Sequence, residues 1–388
     1  MPSDLLLIAP YSGGHHGEHV RWLLEAAHQR GARVSLAAVP SLFDTLVRDF
    51  DYAPDVAEVI PLRSTEGGTG LTGLSAVRAT RAVLTEAVER APAPQAFLTW
   101  MDQGIGALAT GLRPATRLSG LLFRLPFAET DPSTPPLRRL LKKALLRRAG
   151  ANPSLGTVFT LDPDGPEGLS RVGIRGAYAP DPVEPVRPTK TRDDVRAAYG
   201  IEPGRRLGIL FGSLEIRKGP LALAAALHKL APETARRLAV VVVGKTYDDI
   251  RPLLTVAFER VRRETEVQLV FREGFVPDAA LADLTAAADI VLAPYLGHVG
   301  SSGVVVRAAA AGTPLVAQAA AQIGREVRRH RLGQTVDPSD AAALAGALSE
   351  VVHDPTRHFD AAEAAAYADA HHVARFTDAI LTGLLGTP

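Results

Sequence analysis

APYLGHVGSSGVVVRAAAAGTP, residues 293–314, decides the fold. It begins inside the apolar run DIVLAPY (289–295), which reads as a buried strand. Gly297 to Gly303 is a loop of glycine and serine, and Val304 onward is helical in composition. Gly312-Thr313-Pro314 stops the helix and opens a second apolar run, TPLVAQ (313–318). Strand, loop, helix, strand is a βαβ unit, the building block of a parallel sheet. Ser301 or Ser302 can cap the helix, and its leading amides then suit a phosphate. The small residues Ala308–Ala311 let the helix pack close to a sheet. The bland alternative is a capped, buried helix with no ligand.

Outward from there the same alternation fills the chain. RLGILFGS (206–213), LAVVVVGK (238–245) and VQLVF (267–271) are further strand candidates in the second half. In the first half they are LLLIAP (5–10), VSLAAV (34–39), AFLTW (96–100), LSGLLFRL (118–125) and GTVFTL (156–161). These continuous apolar runs suit strands covered on both faces. APDPVEPVRPT (179–189) holds four prolines and reads as an extended linker. The expected division is therefore residues 1–183 and 184–369, with a terminal helix over 370–388. Loops 61–72 and 126–136 are long and polar or proline-rich, as functional loops often are.

Composition narrows the function. The 388 residues correspond to two or three domains of about 150 residues each. With no cysteine there is no disulfide scaffold, thiolate zinc site, iron–sulfur cluster or cysteine nucleophile. A net charge of +1 supplies no global field for nucleic acid, and aromatics at 5% leave little for base stacking. MPSDLLLIAP carries Asp4 and no basic stretch, so it reads as a strand rather than a signal peptide. No run of eighteen apolar residues occurs. A cytoplasmic location is the expectation.

Two doubly wound domains bind ligands where strands end, in the cleft between them. Tyr11 to Gly17 leaves the first strand through Gly13 and Gly14. It is either an anion-approaching loop or a tight strand–helix turn. It is not a dinucleotide fingerprint, and VSLAAVPS ends in no acid. His15, His16 and His19 raise a zinc reading, which the missing further ligands weigh against. Phe211 to Gly219 ends a strand at Gly212-Ser213 and places Arg217 and Lys218 at a helix start. Cations there oppose the helix dipole, which argues for a diphosphate partner over idle solvated charge. Asp102, in the segment after AFLTW, is an acceptor base or a helix cap. His16 is a second base candidate or a hydrogen-bonded structural histidine. Arg124, inside LLFRLPF, reads as a charge within a strand that needs a carboxylate or an opening to the cleft. Asp49-Phe50-Asp51 and Asp162-Pro163-Asp164 read as caps or turns. Pro135–Arg148 carries a stripe of Leu137, Leu140, Leu141, Ala144 and Leu145 among six cations. A crossover helix is needed there, so the stripe is expected to pack on the sheet; the other reading is a surface touching anionic lipid.

With these segments in place the chain resembles the GT-B glycosyltransferases, in particular the retaining family 4. The resemblance rests on the Gly-rich first loop, on Gly212, Leu214, Lys218 and Gly219 in FGSLEIRKG, and on RAAAAGTPLVA at 307–317. It extends to the linker PDPVE and the terminal helix, which in that fold crosses back to the first domain. It implies two Rossmann-like domains with parallel sheets facing across a cleft, an acceptor side first and a donor side second. It implies transfer of a sugar from a nucleotide-diphosphate sugar with retention, without a cofactor or metal, to a small-molecule, glycan or lipid acceptor. The diphosphate grip then falls to Arg217, Lys218, Ser301, Ser302 and Gly303. Ser213, Lys245, His298 and Arg307 are further cleft candidates. The family's two glutamates, eight residues apart, fall at Val299 and Arg307, and its arginine five before the lysine falls at Ser213. Arg217 is the candidate replacement, and the donor base stays open. A sugar-nucleotide epimerase and a degenerate nucleotide-binding or scaffold subunit are the competing functions.

Overall fold

The computed structural model describes residues 3–12, 16–50, 57–63, 73–125, 136–184 and 186–387. The chain forms two compact units, Met1–Pro180 with Val373–Pro388, and Asp181–His372. The divisions thus lie at 180/181 and 372/373, a few residues from the expected 183/184 and 369/370.

Unit 1 contains strands β1 (Leu5–Ala9), β2 (Val34–Ala38), β3 (Glu58–Pro61), β4 (Gln95–Leu98), β5 (Arg117–Leu122), β6 (Leu155–Thr160) and β7 (Gly176–Tyr178). Its helices are α1 (His16–Gln29), α2 (Pro40–Phe50), α3 (Gly73–Arg90), α4 (Met101–Ala109), α5 (Pro136–Gly150) and α6 (Gly165–Ser170). All pairings are parallel, in the order β3-β2-β1-β4-β5-β6-β7. Alternate residues of β1 go to opposite faces. Leu6 and Ile8 join one core, and Leu5, Leu7 and Ala9 the other. That is why the strand reads as an unbroken apolar run.

Unit 2 contains helices α7 (Arg192–Ala198), α8 (Pro220–Leu227), α9 (Pro232–Arg236), α10 (Arg251–Glu264), α11 (Asp278–Ala287), α12 (Gly303–Ala310), α13 (Ala321–Arg329), α14 (Ala341–His353) and α15 (Ala361–Ala370). Its strands are β8 (Arg206–Phe211), β9 (Leu238–Gly244), β10 (Gln268–Glu273), β11 (Ile290–Ala293), β12 (Leu315–Gln318) and β13 (Gly333–Val336). They pair in parallel in the order β10-β9-β8-β11-β12-β13. Val241 and Val243 of β9 enter one core, Val240 and Val242 the other. The buried carboxylate of Asp289 binds the Leu207 amide and meets Arg192, Arg196 and Arg206, fixing the start of β8.

The last helix, α16 (Val373–Leu385), belongs to unit 1. Phe376, Ile380, Leu381 and Leu384 complete a core shared with Val20, Leu23 and Leu24 of α1. Arg30 and Asp378 pair across the same contact at 2.5 Å.

Two expectations are corrected here. β5 stops at Leu122, so Arg124 is not a charge within a strand; it lies beyond the strand end and is exposed. The leucine stripe of α5 does not pack on the sheet. Leu137, Leu140, Leu141 and Leu145 are exposed, and Leu146 and Ala149 make the contact instead.

Candidate functional site

In unit 2, β8 and β11 are sequence-distant neighbours. The chain leaves β8 toward β9 and leaves β11 toward β12. Loops diverging from adjacent parallel strands open a crevice at the strands' carboxyl ends. The loop after β8 and the loop after β11 therefore meet at the place where a ligand has room.

Gly212 follows β8 with φ +107°, in a region open to glycine. Leu214 is fully buried and its amide donates to the Lys245 carbonyl at 2.8 Å, which seats the loop. Ile216–Lys218 form one 3-10 turn, and Gly219 follows with φ +74°. A Cβ on Gly219 would stand 1.9 Å from the Pro294 carbonyl oxygen. Glycine is thus required for the two loops to touch. The Leu296 amide donates to the Arg217 carbonyl at 2.8 Å, closing the contact.

That contact brings the candidate residues together. Lys218 Nζ donates to the Tyr295 hydroxyl at 2.9 Å and lies 4.1 Å from its ring centroid. The same hydroxyl is 3.3 Å from Ser302 Oγ. Ser302 holds the position preceding α12, but its side chain caps no amide of that helix. The expected serine cap is therefore absent at Ser302, because its hydroxyl is turned to Tyr295. The leading amides of α12 are left without a side-chain acceptor, which favours an anion there. Ser301 contributes its carbonyl to the His298 ring at 2.8 Å.

Arg217 Nη1 lies 2.5 Å from His298 Nδ1. A guanidinium only donates, so Nδ1 accepts and Nε2 carries the hydrogen given to Ser301. Gln318, at the end of β12, donates to the His298 carbonyl at 2.6 Å. Lys218, Tyr295 and Ser302 form one set at the carboxyl edge and Arg217, His298, Ser301 and Gln318 another, and the Tyr295 and His298 rings meet edge-on at 5.4 Å between centroids. Other candidates stand apart from them. Lys245 is exposed just past β9, and Ser213 is half-buried with its carbonyl accepting from Glu215. Arg307 turns to Asp278 of α11, 3.1 Å away.

In unit 1 the corresponding strand ends carry aromatics. Tyr11 follows β1, Trp100 follows β4 and Phe123 follows β5. His16, first residue of α1, is buried with its ring 4.7 Å from that of Trp100 and nearly parallel to it. Tyr11 is also 4.7 Å from Trp100. His19 is buried between Phe123 and Phe376. Trp100 Nε1 is buried and meets no acceptor among the described residues. Asp102 accepts from the amides of Phe123 and Arg124 at 3.0 and 3.1 Å. Burial pushes its carboxyl up to about 6, against the pull of those amides and of the Arg124 charge. Trp100, not Asp102, precedes α4, so Asp102 is no helix cap; it ties the segment after β5 to α4.

Gly13, Gly14 and His15 lie outside the described residues, as do loop positions 64–72 and 126–135 and residue Asp51. Asp162 forms a turn by accepting from the Asp164 amide at 3.0 Å, which accounts for that acidic pair. Among the described residues no three His, Cys, Asp or Glu side chains cluster as a metal site would require. Tyr295, Gln318 and Trp100 were missed as site residues. The sequence signal for Tyr295 was a hydroxyl ending a buried run, since a buried tyrosine needs a polar partner.

Residues 205–354 match the model of "Glycosyl transferases group 1". A D-inositol 3-phosphate glycosyltransferase of Rhodococcus erythropolis is 32% identical over 184 residues, covering 46% of this chain and 40% of the relative. The chain thus spans well under half the length of that relative. HepE of Anabaena, solved in complex with UDP and glucose, superposes with a TM-score of 0.70 at 16% identity, covering 99% of this chain and 100% of that one. WaaG, a glycosyltransferase involved in lipopolysaccharide biosynthesis, gives 0.68 at 17% identity over 99% and 100%. Residues 205–354 are a group 1 glycosyltransferase domain, and the chain has the α/β GT-B fold of two Rossmann-like units.

Proposed function

We propose that this chain transfers a sugar from a nucleotide-diphosphate sugar to an acceptor, with retention at the anomeric carbon and without a metal. The observation that carries the reading is the Lys218–Tyr295–Ser302 chain beside the uncapped start of α12. Departure of a nucleoside diphosphate concentrates negative charge on its terminal phosphate. A fixed ammonium and oriented amides stabilise that charge without reorganising. Tyr295, 2% exposed, holds the ammonium in place from below. The HepE complex contains UDP and glucose, which suits a uridine-type donor for a fold of this kind.

Asp102 enters this reading as a positioning residue. Its two oxygens hold the Phe123 and Arg124 amides, so the segment after β5 is set beside Trp100 and His16. His16 remains the base candidate of that edge, and Arg124 its exposed cation.

The test is a thermal-shift screen against UDP, GDP, dTDP, ADP and CMP, with magnesium and with EDTA. A ligand at 100 times its dissociation constant stabilises by about 2.7 kcal/mol. One nucleoside diphosphate shifting the melt equally in both conditions is the expected outcome. No shift from any of them, or a shift only with magnesium, sinks the metal-free donor site. Turnover of the matching nucleotide-sugar then separates a transferase from a binding subunit, and the anomeric configuration of the product tests retention.

A further inference from the structure

Helix α5 combines leucines and cations and contains no acid. Leu137, Leu140, Leu141, Ala144 and Leu145 follow the i, i+3, i+4, i+7, i+8 spacing of a single face. That face looks outward: the four leucines are 67%, 62%, 55% and 45% exposed. The helix is held to unit 1 by Leu146, across the helix from that face, and by Ala149, one turn beyond Leu145, both buried. Lys142, Lys143, Arg147 and Arg148 are exposed and form no ion pair with a described residue.

An exposed row of leucines marks a contact surface rather than an ordinary solvated helix. Its occupant must be apolar at the centre and anionic at the rim. A second copy of the same helix would bring two cationic rims together, which costs several kcal/mol by like-charge contact. A nucleic acid would answer the cations and leave the leucines wet. An anionic bilayer answers both, with leucines in the acyl boundary and long cationic side chains reaching the head groups. At about 1.5 Å per residue the fifteen-residue helix is too short to span about 30 Å of hydrocarbon, so it lies in the interface plane. Among the described residues no helix is long and apolar enough to cross a membrane, so this would be surface docking. We propose that α5 docks unit 1 onto an anionic lipid surface through Leu137, Leu140, Leu141 and Leu145. The inference stands apart from the sugar-transfer reading.

The test is co-sedimentation of the full chain with vesicles. Vesicles of equal parts phosphatidylglycerol and phosphatidylcholine should pull the protein down, and pure phosphatidylcholine should leave it in solution. Leu140→Ser with Leu141→Ser should weaken partition at least tenfold with an unchanged melting temperature, since both side chains are exposed in the fold. Lys142→Gln with Lys143→Gln should weaken it about fivefold per charge at low salt. The proposal is overturned if anionic vesicles bind no protein, or if binding ignores the leucine pair, which would mark a purely electrostatic contact. It is also overturned if the wild-type chain is a dimer that the leucine pair dissolves, since the occupant is then a second copy.

Discussion

Replacing Lys218 by methionine keeps the aliphatic stem against Tyr295 and deletes only the ammonium. The wild-type Nζ is held by the Tyr295 hydroxyl and ring and meets no carboxylate among the described residues. Its charge is thus uncompensated and available to a diphosphate. A charge-assisted hydrogen bond is worth about 1.5–3 kcal/mol, so the Kd for the matching nucleoside diphosphate should rise roughly 10- to 150-fold. Tyr295→Phe retains the ring and its cation–π contact and removes the hydroxyl that locates Nζ. Loss of one neutral positioning bond, about 0.5–1.5 kcal/mol, gives roughly a two- to tenfold rise.

The two variants act on one interaction, so the double variant should fall short of their product. Isothermal titration at fixed ionic strength measures all three, and a melting curve of each checks that the fold persists. Equal Kd for wild type and Lys218→Met, with both folded, would refute the assignment. Fully multiplicative effects would refute the role given to Tyr295.

Gly219→Ala should cost more than about 2 kcal/mol in urea unfolding and abolish nucleotide binding, because it adds left-handed strain and a Cβ 1.9 Å from Pro294 O; a variant of wild-type stability would refute the loop contact. Asp102 has a native pKa near 6 and an unfolded one near 3.8, so the native state binds its proton more tightly. Its penalty is absent below about pH 4, grows through pH 6 and then saturates at about 3 kcal/mol. Stability of Asp102→Asn minus that of wild type should therefore climb between pH 4 and 7, and parallel curves in urea unfolding would contradict it. Ala321 opens α13 with φ +57°. Ala321→Gly should relieve about 1–2 kcal/mol of left-handed strain against an entropy cost of about 0.5–1 kcal/mol, so a fall in melting temperature would show that no strain is held there.

The strands that the sequence reveals are those buried on both faces. The strands it hides share one property. β3, β7 and β13 each form the outer edge of a sheet, and none is fully buried. EVIP, GAY and GQTV have no apolar run because one flank faces water and turns. β10, also an edge strand, was readable because VQLVF still packs Leu269 into a core. Arg124 was misplaced for a related reason. LLFRL looks continuous in sequence, but Asp102 takes the Phe123 and Arg124 amides and ends the ladder at Leu122.

Periodicity names a helical face without saying what covers it, and α5 makes the point. Leu137, Leu140, Leu141 and Leu145 satisfy the spacing of a core stripe as well as any buried helix does. What decides burial is the neighbour, and α5 meets α4 through its last turns, where Leu146 and Ala149 enter the core. Leu146 lies across the helix from the leucine row, and Ala149 lies one turn beyond Leu145, where the row passes under the core. The network of unit 2 was hidden by the same logic in another form. Lys218 and Ser302 could be named from their motifs, but they are joined through Tyr295, 77 residues from the first and 7 from the second. A motif gives residue types at one strand end; the order β9-β8-β11-β12 decides which strand ends become neighbours. Ser302 shows the consequence, since in isolation it is a helix cap, and beside Tyr295 its hydroxyl leaves the helix start open to an anion.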